Sequence, residues 1–271
     1  MTGVTGSVAE QFMVRSPDGV DLAVWADGQG PPLVLVHGSL QDHTISAALV
    51  AELRADFTTM AMDRRGFGAS GDRGPYSLDA EFADVAAVVD VAADRTGRPV
   101  AMWGHSFGAS CAMGGASRSD HVGRLVLYEP SLGLSYPPGW IDRADKALTE
   151  GDHERVSVMV FRDLLDFTDE QIDALRTAPE WPGRVATAPT VVREARAEQE
   201  WTYRPGVMGG ITAPTLLLAG SESPPMLRKA TDAALAAIPR SGVRMLDGHA
   251  HIAHRTDPAL VAAIIRDFVS S

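Results

Sequence analysis

Short apolar segments alternate with helical patterns over most of this 271-residue chain, and this alternation is what most constrains the fold. Each apolar segment starts near a glycine, a proline or a polar turn and ends where another turn begins, as buried strands do. Strands are predicted over residues 21–27, 32–38, 57–63, 99–104, 123–129, 214–220 and 242–248. Such alternation predicts an α/β fold, in which helices cover both faces of a mostly parallel sheet.

One stretch between the strands that end at Glu129 and begin at Pro214 interrupts the alternation. Its spacing predicts helices, joined by turns that contain proline and glycine. The helices are predicted over 140–165, 169–179 and 189–201, and a turn over 180–184. The chain is therefore expected to have a core, residues 1–131 and 206–271, and a helical cap insertion, residues 132–205.

Charge and cysteine content limit the partners of the chain. The formal net charge is −11 and no run of lysine and arginine is present, which disfavours nucleic acid and anionic membranes. The one cysteine, Cys111, cannot form an intramolecular disulfide, and we interpret it as a buried structural thiol. The first residues lack a secretory signal pattern, and the apolar runs are too short to span a bilayer. A cytoplasmic protein that acts on a small molecule is predicted.

Residues 104–108, GHSFG, match the pattern G-x-S-x-G directly after a buried strand and before a helical pattern. In this arrangement a strand turns sharply into a helix and holds the serine at the apex in a strained conformation. Gly104 and Gly108 would remove side chains that collide across the turn. The helix N-terminus would favour negative charge developing at this point. We therefore predict Ser106 to be a nucleophile.

Four segments together resemble the α/β-hydrolase family, and the resemblance covers nearly the whole chain. The segment VLVHGS is similar to the strand and oxyanion loop, DRRGFGAS to the turn after the next strand, GHSFGA to the nucleophile turn, and LDGHAHIAHRTDP to the loop with the base. The resemblance implies an α/β-hydrolase fold and a helical cap. It also implies that Ser106 works with a histidine and a carboxylate, without a cofactor or metal.

The base is expected after the last strand, where His249, His251 and His254 lie close in sequence. The family pattern places the histidine before a small apolar run that leads into the final helix, and His251 matches this pattern best. His254 would cap or flank the helix. A metal site made of the three histidines is the less favoured alternative, because no carboxylate or thiolate nearby completes the ligand set.

The acid departs from the common family pattern. Many members carry an aspartate three residues after the glycine of the strand 214–220, and this position here is Ser223, next to Glu222. Some relatives, certain haloalkane dehalogenases among them, instead carry the acid after the preceding strand, where this chain has Glu129. A buried carboxylate there needs a partner, which His251 would supply. We predict Glu129 as the acid and keep Glu222 as the alternative.

The resemblance also assigns the groups that would stabilise an oxyanion. These are backbone N–H groups of Phe107, which follows the nucleophile, and of Ser39, whose hydroxyl could also donate. His37 is expected to shape its loop. The residues 63–65, Asp-Arg-Arg, are expected to form a structural turn.

The insertion supplies large aromatic side chains that could line a cavity, and Trp140, Trp181 and Tyr136 are the candidates for contact with substrate. We predict a serine hydrolase that cleaves an ester or thioester carbonyl of a small apolar substrate through an acyl-enzyme. Other chemistry on the same fold stays open: carbon–carbon bond hydrolysis, cofactor-free lyase or cyclase reactions, or perhydrolysis. So does a receptor with slow turnover. A serine at 106 argues against epoxide hydrolase and dehalogenase chemistry, for which the resemblance implies an aspartate there.

Overall fold

The computed structural model describes residues 9–201, 206 and 208–271. The first half of the chain contains β1 (Glu10–Arg15), β2 (Asp21–Gly28), β3 (Pro32–Val36), a 3-10 turn (His43–Ser46), α1 (Ala47–Leu53), β4 (Thr58–Met62), α2 (Leu78–Thr96), β5 (Val100–His105), α3 (Phe107–Ala116) and β6 (Val122–Tyr128). The second half contains α4 (Trp140–Thr149), α5 (His153–Met159), a π-helical turn (Val160–Leu164), α6 (Asp169–Arg176), α7 (Trp181–Ala186), α8 (Ala188–Gln199), β7 (Thr215–Gly220), α9 (Pro225–Ala237), β8 (Ser241–Leu246), α10 (Ala253–Thr256) and α11 (Pro258–Ser270).

The described strands form one eight-stranded sheet in the order β1-β2-β4-β3-β5-β6-β7-β8. Strand β2 runs antiparallel to both of its neighbours, and the pairs from β4 to β8 are parallel. The predicted α/β fold with a mostly parallel sheet is confirmed. Strand β5 lies in the middle and is buried at all six positions, because helices cover both of its faces.

Two apolar clusters, one on each face of the sheet, make up the core. The first cluster joins the sheet to α2 and α3, and the second joins it to α1 and α11. Helices α2 and α3 approach closely because α3 has glycines where they meet. A Cβ atom at Gly114 would lie 2.1 Å from ring atoms of Phe82, and one at Gly115 would lie 2.6 Å from Val85.

The helices α4 to α8 all lie between β6 and β7, and they share a third apolar cluster of their own. We call residues 140–199 the helical segment. The predicted boundaries of the cap, at 132 and 205, stay a prediction, and residue 205 lies outside the described residues. So do residues 1–8, on which the prediction about a secretory signal depends.

Three local predictions differ from the structure. Strand β1 was not predicted, and it pairs at the sheet edge with only β2. The helix predicted over 140–165 is interrupted at Gly151, which has a φ of +76°, and Asp152 then caps α5. The turn predicted over 180–184 is wrong, because Pro182 occupies the first turn of α7, where proline is compatible with a helix.

Within the described part of the chain, no helix combines the length and apolar character needed to cross a bilayer.

We expect Gly114→Ala to destabilise the protein although alanine favours helices. Its Cβ would collide with the buried Phe82 ring, and overpacking a core costs typically about 1–3 kcal/mol. The measurement is the free energy of unfolding from chemical denaturation. Gly183→Ala is the control: Gly183 lies in α7, nothing lies within 4 Å of an added Cβ, and the expected change is a gain of roughly 0.5–1 kcal/mol. Equal effects of the two substitutions would contradict the packing argument.

Candidate active site

Ser106 lies at the turn between β5 and α3, in a conformation that a non-glycine residue rarely adopts. Its φ is +55° and its ψ is −127°. A Cβ at Gly104 would lie 2.7 Å from Ala109 Cα, and one at Gly108 would lie 2.2 Å from the carbonyl oxygen of His37. The two glycines of the motif are therefore required by close packing around the turn, as the sequence predicted. The strained backbone directs the side chain of Ser106 into a cavity.

His251 and Glu129 form a buried pair beside this cavity. His251 Nδ1 lies 2.6 Å from Glu129 Oε2, and the carboxylate is fully buried. Its other oxygen, Oε1, accepts a hydrogen bond from the N–H of Gly220 at 2.8 Å. A carboxylate beside Nδ1 favours a proton on that nitrogen, which leaves Nε2 able to accept one. Both Ser106 and His251 line the same cavity.

The loop that carries His251 is fixed by two side chains from the ends of neighbouring strands. His105 Nε2 lies 2.8 Å from the carbonyl oxygen of His251, and burial holds the pKa of His105 well below its usual value. The hydroxyl of Tyr128 donates to the carbonyl of Ala250 and accepts from the N–H of Ala253. The backbone on both sides of His251 is therefore held in place.

The loop after β3 lies directly against the serine. A Cβ at Gly38 would lie 3.0 Å from Ser106 Cβ. His37 shapes this loop, as predicted: Nδ1 lies 2.8 Å from the Gly38 carbonyl oxygen, and Nε2 accepts from the N–H of Arg64 at 3.0 Å. Phe107 is the first residue of α3, so its N–H has no partner within the helix. The Phe107 amide directly follows Ser106, which lines the cavity.

Arg64 is fully buried and connects this loop to two helices. Its guanidinium lies 2.8 Å from Glu81 of α2 and 2.6 Å from Glu194 of α8, and it donates to the His37 carbonyl at 3.0 Å. Burial alone would lower the pKa of Arg64, but the two carboxylates outweigh it and hold the pKa well above its usual value. Arg65 makes a second buried pair with Asp84 at 2.6 Å. The sequence predicted a structural turn here, without these partners.

The cavity beside Ser106 is narrow: about 70 Å³ of it admits the centre of a water molecule, within about 830 Å³ of space free of protein atoms that includes open solvent at its mouth. Its wall is mainly apolar, and most of the apolar residues come from the helical segment. These are Val160, Phe161, Leu164, Leu165, Phe167, Leu175 and Val191, and Tyr136 lies just before the segment. A largely apolar cavity with a few polar groups is typical of a site for a small organic molecule.

Two glutamates of α8 form an acidic wall of the cavity. The hydroxyl of Ser39 donates to Glu194 Oε2 at 2.5 Å. Glu198 accepts hydrogen bonds from Ser131 and Tyr136, and burial raises its pKa to about 7. Sequence reasoning missed both glutamates. Their spacing of four residues places them on one helix face, among buried positions, and this was the available signal.

The remaining predicted residues differ in whether they line the cavity beside Ser106. Tyr136 lines the cavity, whereas Trp140 and Trp181 are buried within the helical segment and are not among the residues that line it. Glu222 lines a separate surface cavity, and its backbone N–H donates to the His249 carbonyl. Of the two acid candidates, it is Glu129 that the structure brings to His251.

The described residues do not group the three histidines as metal ligands. His251 is engaged with Glu129, and His254 is buried with no hydrogen bond to its ring nitrogens in the described part of the chain. Burial lowers the pKa of His254 to about 3. Asp42, His43 and Asp63 do lie close together, but Asp63 already accepts hydrogen bonds from the backbone and ring of His43 and from the Ala69 N–H. Cys111 is buried, as predicted.

Comparison with known proteins identifies the family. The model of the alpha/beta hydrolase family matches residues 33–264. A solved alpha/beta hydrolase from Sphaerobacter thermophilus is similar over 95% of this chain and 99% of its own, with a TM-score of 0.82 and 29% identity. The esterase RhEst1 from Rhodococcus has a TM-score of 0.77 at 23% identity, over 96% and 98% of the two chains, which shows the fold alone.

Curated relatives match over shorter stretches. Lipase LipV of Mycobacterium tuberculosis is 36% identical over 118 residues, which are 42% of this chain and 44% of the lipase. Probable oxidoreductase EphD of the same organism is 37% identical over 101 residues, 36% of this chain and 17% of that protein. The match therefore spans less than half of either relative. Because the family model covers most of the chain, the protein belongs to the alpha/beta hydrolase family.

Proposed function

We propose that this protein is a serine hydrolase that cleaves an ester or thioester carbonyl of a small substrate through an acyl-enzyme. One observation carries the proposal: a serine in a strained turn shares a cavity with a histidine whose Nδ1 is bonded to a buried carboxylate. This arrangement is suited to activating a hydroxyl as a nucleophile. The name of a similar lipase supports the same class of reaction.

In the proposed reaction, Ser106 Oγ attacks the carbonyl carbon while His251 Nε2 takes its proton. The N–H groups of Phe107 and Ser39 donate to the oxyanion. His251 then gives the proton to the leaving oxygen or sulfur. A water molecule attacks the acyl-enzyme, with His251 again as base, and releases the acid. Glu129 stabilises the imidazolium that forms in each step without taking up the proton.

The helical segment is proposed to act as a cap that covers the reacting carbonyl and supplies the apolar wall. Its contribution agrees with an apolar acyl chain, since seven of the apolar residues that line the cavity belong to it. The absence of nucleic-acid and membrane partners and a cytoplasmic location remain predictions of the sequence.

Ser106→Ala should abolish the hydrolysis of p-nitrophenyl esters, with kcat falling by about 10³-fold or more, because the nucleophile is removed. Steady-state kinetics over acyl chains of graded length provides the measurement. A fluorophosphonate probe should label the wild type and spare the variant. Ser117→Ala, at the other end of α3, is the matched control and should retain full activity. Ester turnover that survives Ser106→Ala would contradict the proposal and favour lyase chemistry or ligand binding.

Glu129→Gln should lower kcat by about 10²–10⁴-fold, because a neutral amide no longer fixes the tautomer of His251 or stabilises its charged form. Glu222→Gln, on the separate surface cavity, should leave kcat within twofold of the wild type. The comparison uses one ester at saturating concentration. The assignment of the acid fails should Glu222→Gln be the more damaging substitution.

The acidic wall should also make stability depend on pH. The pKa of Glu198 in the folded protein is about 7, above its usual value of 4.5, so the folded state holds this proton more tightly. Its contribution is therefore fully present below pH 4.5 and is lost as the pH rises through 7. The free energy of unfolding of Glu198→Gln, minus that of the wild type, should therefore increase from pH 5 to pH 8, by roughly 3 kcal/mol at most. Urea denaturation of both proteins at each pH measures the difference. A constant difference across this range would show that Glu198 titrates normally.

A further inference from the structure

Arg184, on α7, is a buried arginine of an unusual kind. Three arginines of the described chain are at most 5% exposed: Arg64, Arg65 and Arg184. The first two make ion pairs with buried carboxylates at 2.6 Å. Within the described residues, no hydrogen bond or ion pair engages the guanidinium of Arg184. The guanidinium nitrogens of Arg184 are not among the fully buried atoms without a partner in the described chain, so they keep some contact with solvent and can bind an anion that enters the cavity.

Arg184 lines the cavity beside Ser106, and also a second, more open cavity that Asp42 and Glu180 line as well. Its guanidinium carbon lies 5.2 Å from the ring centroid of Phe161. Burial and the charge of Arg255 lower the pKa of Arg184 to about 10, so it stays charged at neutral pH. Arg255 also lines the cavity, but its guanidinium forms an ion pair with Glu180 at 3.2 Å.

Gln41 provides a second unpartnered polar group in the same place. It lines the same two cavities as Arg184, and its Oε1 atom is buried without a hydrogen-bond partner among the described residues. The oxygen and nitrogen of a side-chain amide are assigned from their partners, so this amide can present its NH₂ group to an acceptor. A guanidinium and an amide together offer several N–H donors to one anion.

The acidic wall does not neutralise Arg184. Glu194 and Glu198 act on Arg64 and on each other, whereas the carboxylates that act on Arg184 are Glu180 and Asp42. Arg184 instead lowers the pKa of His105 and His254, which places its charge on the histidine side of the cavity. The cavity thus has an acidic wall on α8 and a separate cationic group on α7.

We propose that Arg184 binds a carboxylate of the substrate, so that the preferred substrates are esters or thioesters whose acyl chain ends in a second carboxylate. This inference rests on the proposed hydrolase function and names its substrate class. A planar carboxylate matches the paired N–H donors of a guanidinium, and one negative charge matches one cation. The apolar wall would hold the methylene groups between the two ends.

The test compares esters that differ in one charged group. Mono-p-nitrophenyl esters of succinic, glutaric and adipic acid are set against p-nitrophenyl butanoate, pentanoate and hexanoate. For at least one chain length, the kcat/KM of the wild type should be at least tenfold higher for the ester that ends in a carboxylate than for the uncharged ester. Arg184→Met should lower this ratio of the two kcat/KM values tenfold or more. Arg196 is an exposed arginine of α8 that is paired with Asp145, and Arg196→Gln, as the control, should leave this ratio unchanged. A wild-type ratio near one, or a ratio insensitive to Arg184→Met, overturns the proposal.

A binding experiment separates this proposal from the proposed reaction. Titration calorimetry with glutarate on Ser106→Ala, and on the same protein with Arg184→Met, should show at least tenfold weaker binding to the second. This result would stand even if the wild type hydrolysed no ester, in which case only the proposed reaction would fail. Equal binding to the two proteins, or no binding to either, overturns the carboxylate site.

Stability distinguishes a binding role from a structural one. Because no carboxylate is hydrogen-bonded to Arg184, its removal leaves no buried anion without a partner, so Arg184→Met should fold and melt at or above the wild-type temperature. A lowered Tm would mean that Arg184 supports the fold, and would count against the proposal. Arg184→Gln serves as the second variant, and it should lose the preference for the acid in the same way.

Discussion

The buried guanidinium of Arg64 joins the parts of the molecule that must keep fixed positions around the serine. It contacts the loop after β3 through the His37 carbonyl, α2 through Glu81 and α8 through Glu194. A buried charge of this kind is tolerated only when its partners hold their places, so the ion pairs couple the helical segment to the loop beside Ser106. Because Glu194 also accepts from the Ser39 hydroxyl, the loop is held from two directions.

Rigidity around the site is distributed unevenly. The backbone on both sides of His251 is tied to strand ends by His105 and Tyr128, and Ser106 is fixed by packing at Gly104 and Gly108. The cavity wall, in contrast, comes largely from short helices whose contacts are mostly with one another. Under the proposed function, the fold would keep the reacting groups at the sheet and leave the choice of substrate to the helical segment, as is common where one scaffold serves many reactions.

The sheet and the turn at Ser106 could be predicted from the sequence because both depend on local sequence patterns. Buried strands show as apolar runs, and the turn needs glycines at fixed spacing. The carboxylate partner of His251 was open between Glu129 and Glu222, because they follow the neighbouring strands β6 and β7 and strand order alone does not distinguish them; the side-chain contact of His251 with Glu129 does. The contacts of Glu194 and Arg184 could not be predicted from the sequence, because they depend on how the helical segment packs on the core. Arg64 and Glu194, for example, are more than 100 residues apart in the chain.

The π-helical turn at Val160–Leu164 has a consequence for the evolution of this cavity. Such a turn holds about one residue more than a turn of regular α-helix. Three of its five residues, Val160, Phe161 and Leu164, line the cavity. Loss of a single residue from this turn would change the positions of these side chains together. A deletion, rather than a series of substitutions, is thus a short route to a differently shaped cavity.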